Sequence, residues 1–262
     1  RGFLTLSVIA QDSADQRAGR AGRTQAGTCF RLWAKHGRMA ARTIPEIYRE
    51  GLSTLILAAA SCGERPHSLP FLDPPKDYAL DNATKTLQLL GALTETGTLT
   101  AKGKQLFRVP LDPRLGRLLI EGKAQGTLYD VLPLIAALSV GRPLFQSQPP
   151  EFEEDDLHSS GCDARALIRA VRDGNVVQNK LRKEVLFDAR KILKQLEAEW
   201  TTSVPEHGIK ERDTRLAQTL LLAWPDAGYV ARKRKRTVHW SNGGTEVQLA
   251  GRSAIDPNTV QY

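Results

Sequence analysis

The chain has 262 residues, room for two domains or three small ones. Its 41% hydrophobic and 25% charged residues are those of a globular protein, with no run of 18 or more apolar residues and no basic-then-apolar leader, so neither a membrane span nor export is expected. A net charge of +8 and a pI near 9.5 point to a polyanionic partner.

Phe3 to Ile9 read as the end of a domain already under way, so the chain is expected to be a piece of a longer protein. Gln16 to Arg23 follow, as Gln-Arg-Ala-Gly-Arg-Ala-Gly-Arg, with Arg17, Arg20 and Arg23 at i, i+3 and i+6. Each guanidinium is a rigid planar fork suited to phosphate oxygens. Gly19 and Gly22 stand directly before Arg20 and Arg23, where the missing Cβ allows backbone to approach a ligand or a neighbouring strand. If the stretch opens a helix, the arginines share one face and the helix N-terminus adds a favourable dipole for anions. The same octamer also reads as a basic, glycine-bearing surface loop.

Gly27 to Ala34 form a β-rich run, and Lys35 to Thr43 a polar linker. Thr43-Ile44-Pro45-Glu46 predicts a helix start with Thr43 as N-cap, running to about Ser61 with Ile47, Leu52, Leu55, Ile56 and Ala59 inward. A second helix is predicted over Tyr78 to Leu90, stopping at Gly91. Ala92 to Thr100 read as a hairpin turning at Gly97, and another helix starts near Ala101. Helix, helix, hairpin is the outline of a winged helix. No helix is rich in base-reading side chains, so a structural wing is expected.

Two helices are predicted after Pro113, Arg114 to Gln125 and Leu128 to Val140, the second almost wholly apolar and therefore buried. Residues 146–161 gather Glu151, Glu153, Glu154, Asp155 and Asp156 and read as a solvated acidic loop rather than a Mg²⁺ or acid/base site. Asn179 to Trp200 carry an apolar stripe (Leu181, Val185, Ala189, Ile192, Leu196, Trp200). Lys180, Arg182, Lys183, Arg190, Lys191 and Lys194 fill its other faces, either solvated or lining a nucleic-acid channel. After a break over Thr201 to Gly208 come a helix from Asp213 to Trp224 and three short strands near Tyr229, Thr237 and Thr245. Arg232, Lys233, Arg234, Lys235 and Arg236 separate the first two strands and cannot all be buried. With Trp240 close behind, they suit a single-stranded backbone with one base stacked, or else a guarded edge strand or a solvated loop.

The octamer resembles motif VI of superfamily 2 helicases, and its leading Gln16 resembles the DEAH-box branch. Thr43 to Ile47, Phe71-Leu72-Asp73-Pro74-Pro75, Leu90 to Leu93 and Pro110 to Leu115 follow in the order of DEAH winged-helix and ratchet segments, closely over residues 1–140. The Asp-Pro-Pro run is most similar to the bacterial HrpB type. The resemblance implies a mixed, mainly α fold. Its domains would be the end of a RecA-like α/β domain (1–42, the Gly27 run completing its sheet), a winged helix (43–110), a helical ratchet-like bundle (111–208) and an OB-like β module (209–262). It implies that Gln16, Gly19, Arg20 and Arg23 face ATP with Mg²⁺. Gln16 would hold the γ-phosphate and attacking water, and Arg20 and Arg23 would be arginine fingers.

No Gly-x-x-x-x-Gly-Lys-Ser/Thr or Asp-Glu-x-His occurs; Gly97 to Lys104 imitates the first with the wrong spacing. The residues holding ATP and Mg²⁺ are therefore expected on an upstream RecA-like domain, and this chain alone is expected to be inactive. Cys29, Cys62 and Cys162 are odd in number and far apart, so free thiols in a reducing cytoplasm are expected, with no disulfide framework and no metal site. His36, His67, His158, His207 and His239 pair with no nucleophile at an informative spacing. Two readings stand. One is the C-terminal part of an ATP-dependent helicase acting on nucleic acid, with single-stranded RNA as partner. The other is a stand-alone winged-helix module that binds nucleic acid or a partner without ATPase activity.

Overall fold

The computed structural model describes residues 8–34, 37–146, 162–234, 237–249, 253 and 255. The acidic run Glu151 to Asp156, together with His36, His158, Lys235 and Arg236, lies outside the described residues.

The chain enters through α1 (Gln11–Ala18), which tightens into a 3₁₀ turn at Gly19–Gly22. The octamer therefore closes a helix instead of opening one. Residues 24–34 run on without strand pairing, against the expected strand over Gly27 to Ala34. A lone strand cannot satisfy its own N–H and C=O groups, and no described strand of the chain lies beside this one.

The helix expected from Thr43 is broken in two. Glu46–Tyr48 make one 3₁₀ turn, closed by Arg49 Nε donating to the Ile44 carbonyl at 2.8 Å, and α2 begins only after Gly51, over Ser53–Ser61. Thr43 caps nothing here, because its amide and hydroxyl are both bound to Asp12. Leu52, Ile56 and Ala59 are buried as expected, and Leu57 joins them, while Ile47 and Leu55 pack at the margin.

α3 (Asp77–Leu89) ends at Gly91, whose φ of +67° lets its amide reach the Gln88 carbonyl while Ala92 reaches that of Leu87. The hairpin that follows pairs Leu93 with Leu99 around Gly97, at φ +82°. Thr100 then caps α4 (Ala101–Arg108), its hydroxyl accepting from the Gly103 amide at 2.9 Å and donating to the Gly91 carbonyl at 2.6 Å. A Cβ on Gly103 would sit 2.2 Å from the Ala92 carbonyl oxygen, so α4 can lie against the hairpin only with glycine there. Ile56, Leu80, Leu87, Leu93 and Leu106 form the shared core of these elements.

Asp112 caps α5 (Pro113–Ala124), with Pro113 at the first helical position, and α6 (Leu128–Ser139) follows. α6 is buried nearly all round and carries Pro133 in its interior. It packs on α5, on α7 (Asp163–Asp173) and on α8 (Lys183–Glu199). α7 was not anticipated from the sequence. α8 starts four residues later than its apolar stripe, because Lys180 to Arg182 pair instead with Leu144 to Gln146, including the bridge of Phe145 to Leu181.

Residues 201–208 form the expected break, but α9 (Ile209–Ala223) returns to α5 and contributes Leu216 and Ala223 to the core of the bundle. The helix that the sequence grouped with the β module thus packs as a bundle helix. β1 (Val230–Arg234), β2 (Thr237–Ser241) and β3 (Glu246–Val247) then form an antiparallel sheet in that order, in register Arg232–His239 and Trp240–Val247. No helix among the described residues is long and apolar enough to cross a membrane.

Candidate functional site

α1 and the 3₁₀ turn make one continuous rod over residues 11–23. Side chains three apart nearly eclipse in 3₁₀ geometry, so Arg20 and Arg23 stand above one another, with Arg17 one turn below. All three are exposed, as are Gln16 and Gly19. Nothing lies within 4 Å of a Cβ built on Gly19 or Gly22, so the space before each arginine is open. Because the arginines end a helix, the dipole there is negative and favours the cations themselves. Any anion held at this ridge is held by guanidinium groups, and the helix N-terminus that would have added a favourable dipole is not at the octamer.

Gly27 fixes how the chain leaves the ridge. A Cβ there would fall 2.0 Å from the Ala21 carbonyl oxygen, so the chain folds back over the 3₁₀ turn at a distance only glycine permits. Arg31 pairs with Asp15 on α1, and its guanidinium lies 6.0 Å from the Trp33 ring. Phe30 and Leu32 are left 85% and 95% exposed, apolar side chains outside both cores of the described residues.

The base of the rod is fastened to residues 40–43. The Gln11 and Asp12 amides, which no helical carbonyl can take, donate to the Ala40 and Ala41 carbonyls at 2.8 and 3.2 Å. The Asp12 carboxylate accepts from the Thr43 amide (2.8 Å), the Thr43 hydroxyl (2.9 Å) and the Ser13 amide (2.6 Å). The Thr43 amide is the main cause that holds the Asp12 carboxyl below its ordinary pKa.

The basic run is partly described. Arg232 projects exposed from β1, an edge strand, and Lys233 and Arg234 continue that strand. Trp240 is half-buried on β2 opposite Ala231, one residue beyond His239, which faces Arg232 across the ladder. Arg232 and Trp240 thus lie on one sheet but on opposite faces, Arg232 with His239 and Trp240 with Ala231, far along the chain from the arginine ridge.

Arg190, read as part of a basic face of α8, is consumed within the fold. Its guanidinium donates to the carbonyls of Val171, Arg172 and Gly174 and so caps the end of α7. A buried ionic network under α6 is a further feature with no signal in the sequence. Asp130, 3% exposed, accepts from Arg165 and from Arg212 at 2.6 Å each, and Arg165 also pairs with Asp213. The bond to Asp130 pushes the Arg212 guanidinium pKa further up. Arg172 stacks 3.8 Å from the Tyr129 ring centre, with Arg212 at 5.0 Å from it. A pocket of about 180 Å³ opens beside Tyr129, Arg165, Arg172 and Arg212. Asp130 and Asp213 balance Arg165 and Arg212, and Glu197 balances Arg172, so these groups lock α6, α7, α8 and α9 together and offer no net charge to an anion. Among the described residues no group of three or more His, Cys, Asp or Glu side chains is placed to hold a metal ion.

Comparison with known proteins gives this geometry a relation. Residues 112–197 match the family described as helicase associated domain (HA2), ratchet-like, and that span runs from the cap of α5 into α8. The chain is 41% identical over 143 residues to a human protein named probable ATP-dependent RNA helicase DHX34, covering 53% of this chain and 12% of that protein. It is 32% identical over 173 residues to the ATP-dependent RNA helicase HrpA homolog of Haemophilus influenzae, covering 62% of this chain and 13% of that protein. The chain thus spans about an eighth of the length of these curated relatives. The α5–α8 part of the chain is thus similar to the ratchet-like HA2 family, and the chain is similar to segments of proteins named as ATP-dependent RNA helicases.

Proposed function

We propose that this chain is the C-terminal part of a DEAH-type ATP-dependent RNA helicase. In this reading Gln16, Arg20 and Arg23 reach across a cleft to ATP and Mg²⁺ held mainly by an upstream RecA-like domain of the same polypeptide. The α2–α4 unit with its hairpin is the winged helix, the bundle from α5 through α9 is the ratchet, and the sheet is an OB-like module. The observation that carries the reading is the exposed arginine ridge standing upstream of an HA2 domain in one chain. A placement near the HrpB type rests on the Asp73-Pro74-Pro75 tripeptide alone.

Chemically the ridge suits phosphoryl transfer, where catalysis is mostly positioning and charge stabilisation. Arg20 and Arg23 would neutralise charge developing on the γ-phosphoryl oxygens, and Gln16, one turn earlier, would orient the attacking water. The test is RNA-stimulated ATP hydrolysis by the full-length protein. Arg20→Ala and Arg23→Ala are each expected to lower turnover by about 10³-fold or more while RNA binding persists. Normal turnover in both variants removes the finger assignment. The 262-residue chain by itself is expected to hydrolyse no ATP.

Arg232, Lys233, Arg234, Lys235 and Arg236, with Trp240, are proposed to hold single-stranded RNA. Neutralising the five cations is expected to weaken binding to all sequences alike and to flatten the logarithmic salt dependence by about 0.7 for each phosphate no longer neutralised. An unchanged slope assigns the run to solvent.

A further inference from the structure

We infer that Asp12 is a positioning residue, the joint through which movement of the arginine ridge reaches the α2–α4 unit. The inference rests on the helicase reading above. Residues 11–23 are one helical rod, with Arg20 and Arg23 at one end and Asp12 in the first turn at the other. A rod pushed at its tip moves its base. That base makes four hydrogen bonds to residues 40–43, and two of them run from the Asp12 carboxylate to Thr43.

From Thr43 the route onward is short. Arg49 closes the 3₁₀ turn onto Ile44, and the Tyr48 hydroxyl donates to the Pro74 carbonyl at 3.0 Å, just before α3 begins at Asp77. α3 in turn lies on α2 and supplies Leu80 and Leu87 to their common core. The alternative path, along residues 24–34, is irregular chain with exposed apolar side chains and an exposed ion pair to α1. Exposed pairs of that kind contribute little and transmit less than a set of directed hydrogen bonds. The Asp12 side chain binds both the helix it belongs to, through the Ser13 amide, and the far end of the linker at Thr43. A truncated side chain there leaves the ridge intact and removes two of the four hydrogen bonds at its base.

The experiment compares wild type, Asp12→Ala, Thr43→Val and the double variant in the full-length protein, measuring ATP hydrolysis with and without single-stranded RNA. Both side chains are exposed, so folding is expected to survive, and circular dichroism checks it. Hydrolysis without RNA is expected to stay at the wild-type level. Stimulation by RNA is expected to fall by about fivefold or more, the scale of a typical coupling free energy, with the double variant no worse than Asp12→Ala. Asp12→Asn, which keeps one acceptor oxygen, is expected to fall between. Full RNA stimulation in Asp12→Ala, or effects of the two substitutions that simply multiply, overturns the inference while leaving the helicase reading in place. A wild-type protein without RNA-stimulated hydrolysis overturns both.

Discussion

The bundle from α5 to α9 and the segment before α2 carry comparable numbers of arginines and use them in opposite ways. In the bundle, Arg165, Arg172, Arg190 and Arg212 are engaged by carboxylates, carbonyls and a tyrosine ring, and the apolar side chains close over one another. In the segment, Arg17, Arg20 and Arg23 stand in solvent, and Phe30 and Leu32 cover nothing. A bundle arginine is explained by what it touches within the chain. A ridge arginine touches no carboxylate or carbonyl among the described residues. Engaged cations sit beside a closed core, and exposed cations sit beside exposed hydrophobes.

That contrast breaks first at Asp130. Asp130→Asn leaves the buried Arg165 and the half-buried Arg212 short of charge and is expected to destabilise the chain by about 3–5 kcal/mol, read from the urea midpoint. A shift below about 1 kcal/mol would mean the network is dispensable. Ile135→Ala, in the middle of α6, is expected to lose about 2–5 kcal/mol through the cavity it leaves, whereas Leu32→Ala should stay within about 0.5 kcal/mol. Equal losses at the two sites would show that the segment has a core after all. At the hairpin, Thr100→Ala removes the cap of α4 and is expected to cost about 1 kcal/mol, measured by the same unfolding midpoint.

The smallest effect concerns acid. The hydrogen bond from Arg114 lowers the Asp226 carboxyl below its unfolded value of 3.8. Its contribution is therefore complete above that value and lost as pH falls through the lower, folded one. Arg114→Met should remove part of the slope of stability against pH below about 4. An unaltered acid limb would show that the pair, partly exposed, contributes nothing measurable.

Local causes predict some boundaries and mislead at others. α5 starts at Pro113 and α3 stops at Gly91 as read, whereas the cap signal at Thr43 starts no helix because Thr43 is bound to Asp12. α7 went unread although Ala164, Leu167, Ile168 and Val171 recur at helical spacing, with Arg165 buried beside them. Its ionic partners, Asp130 and Asp213, lie 35 and 48 residues away, so no window of sequence shows them. The Gly27 to Ala34 run has strand composition and no strand, because pairing needs a neighbour that its own residues cannot supply. The octamer was legible as a set of side chains. Its position at the end of a helix was not, since that depends on Asp12 and residues 40–43 starting the rod at Gln11.

Pro133 sits inside α6 with no amide hydrogen to give, so the carbonyl four residues earlier, that of Tyr129, has no helical donor. Arg172 takes it, its Nη2 donating to the Tyr129 oxygen at 2.6 Å while the guanidinium lies over the same residue's ring. A gap in one helix's ladder has become the socket for a side chain of the next. Pro133→Ala would therefore do more than mend α6: it would offer Tyr129 a competing donor and loosen the key that sets α7 against it.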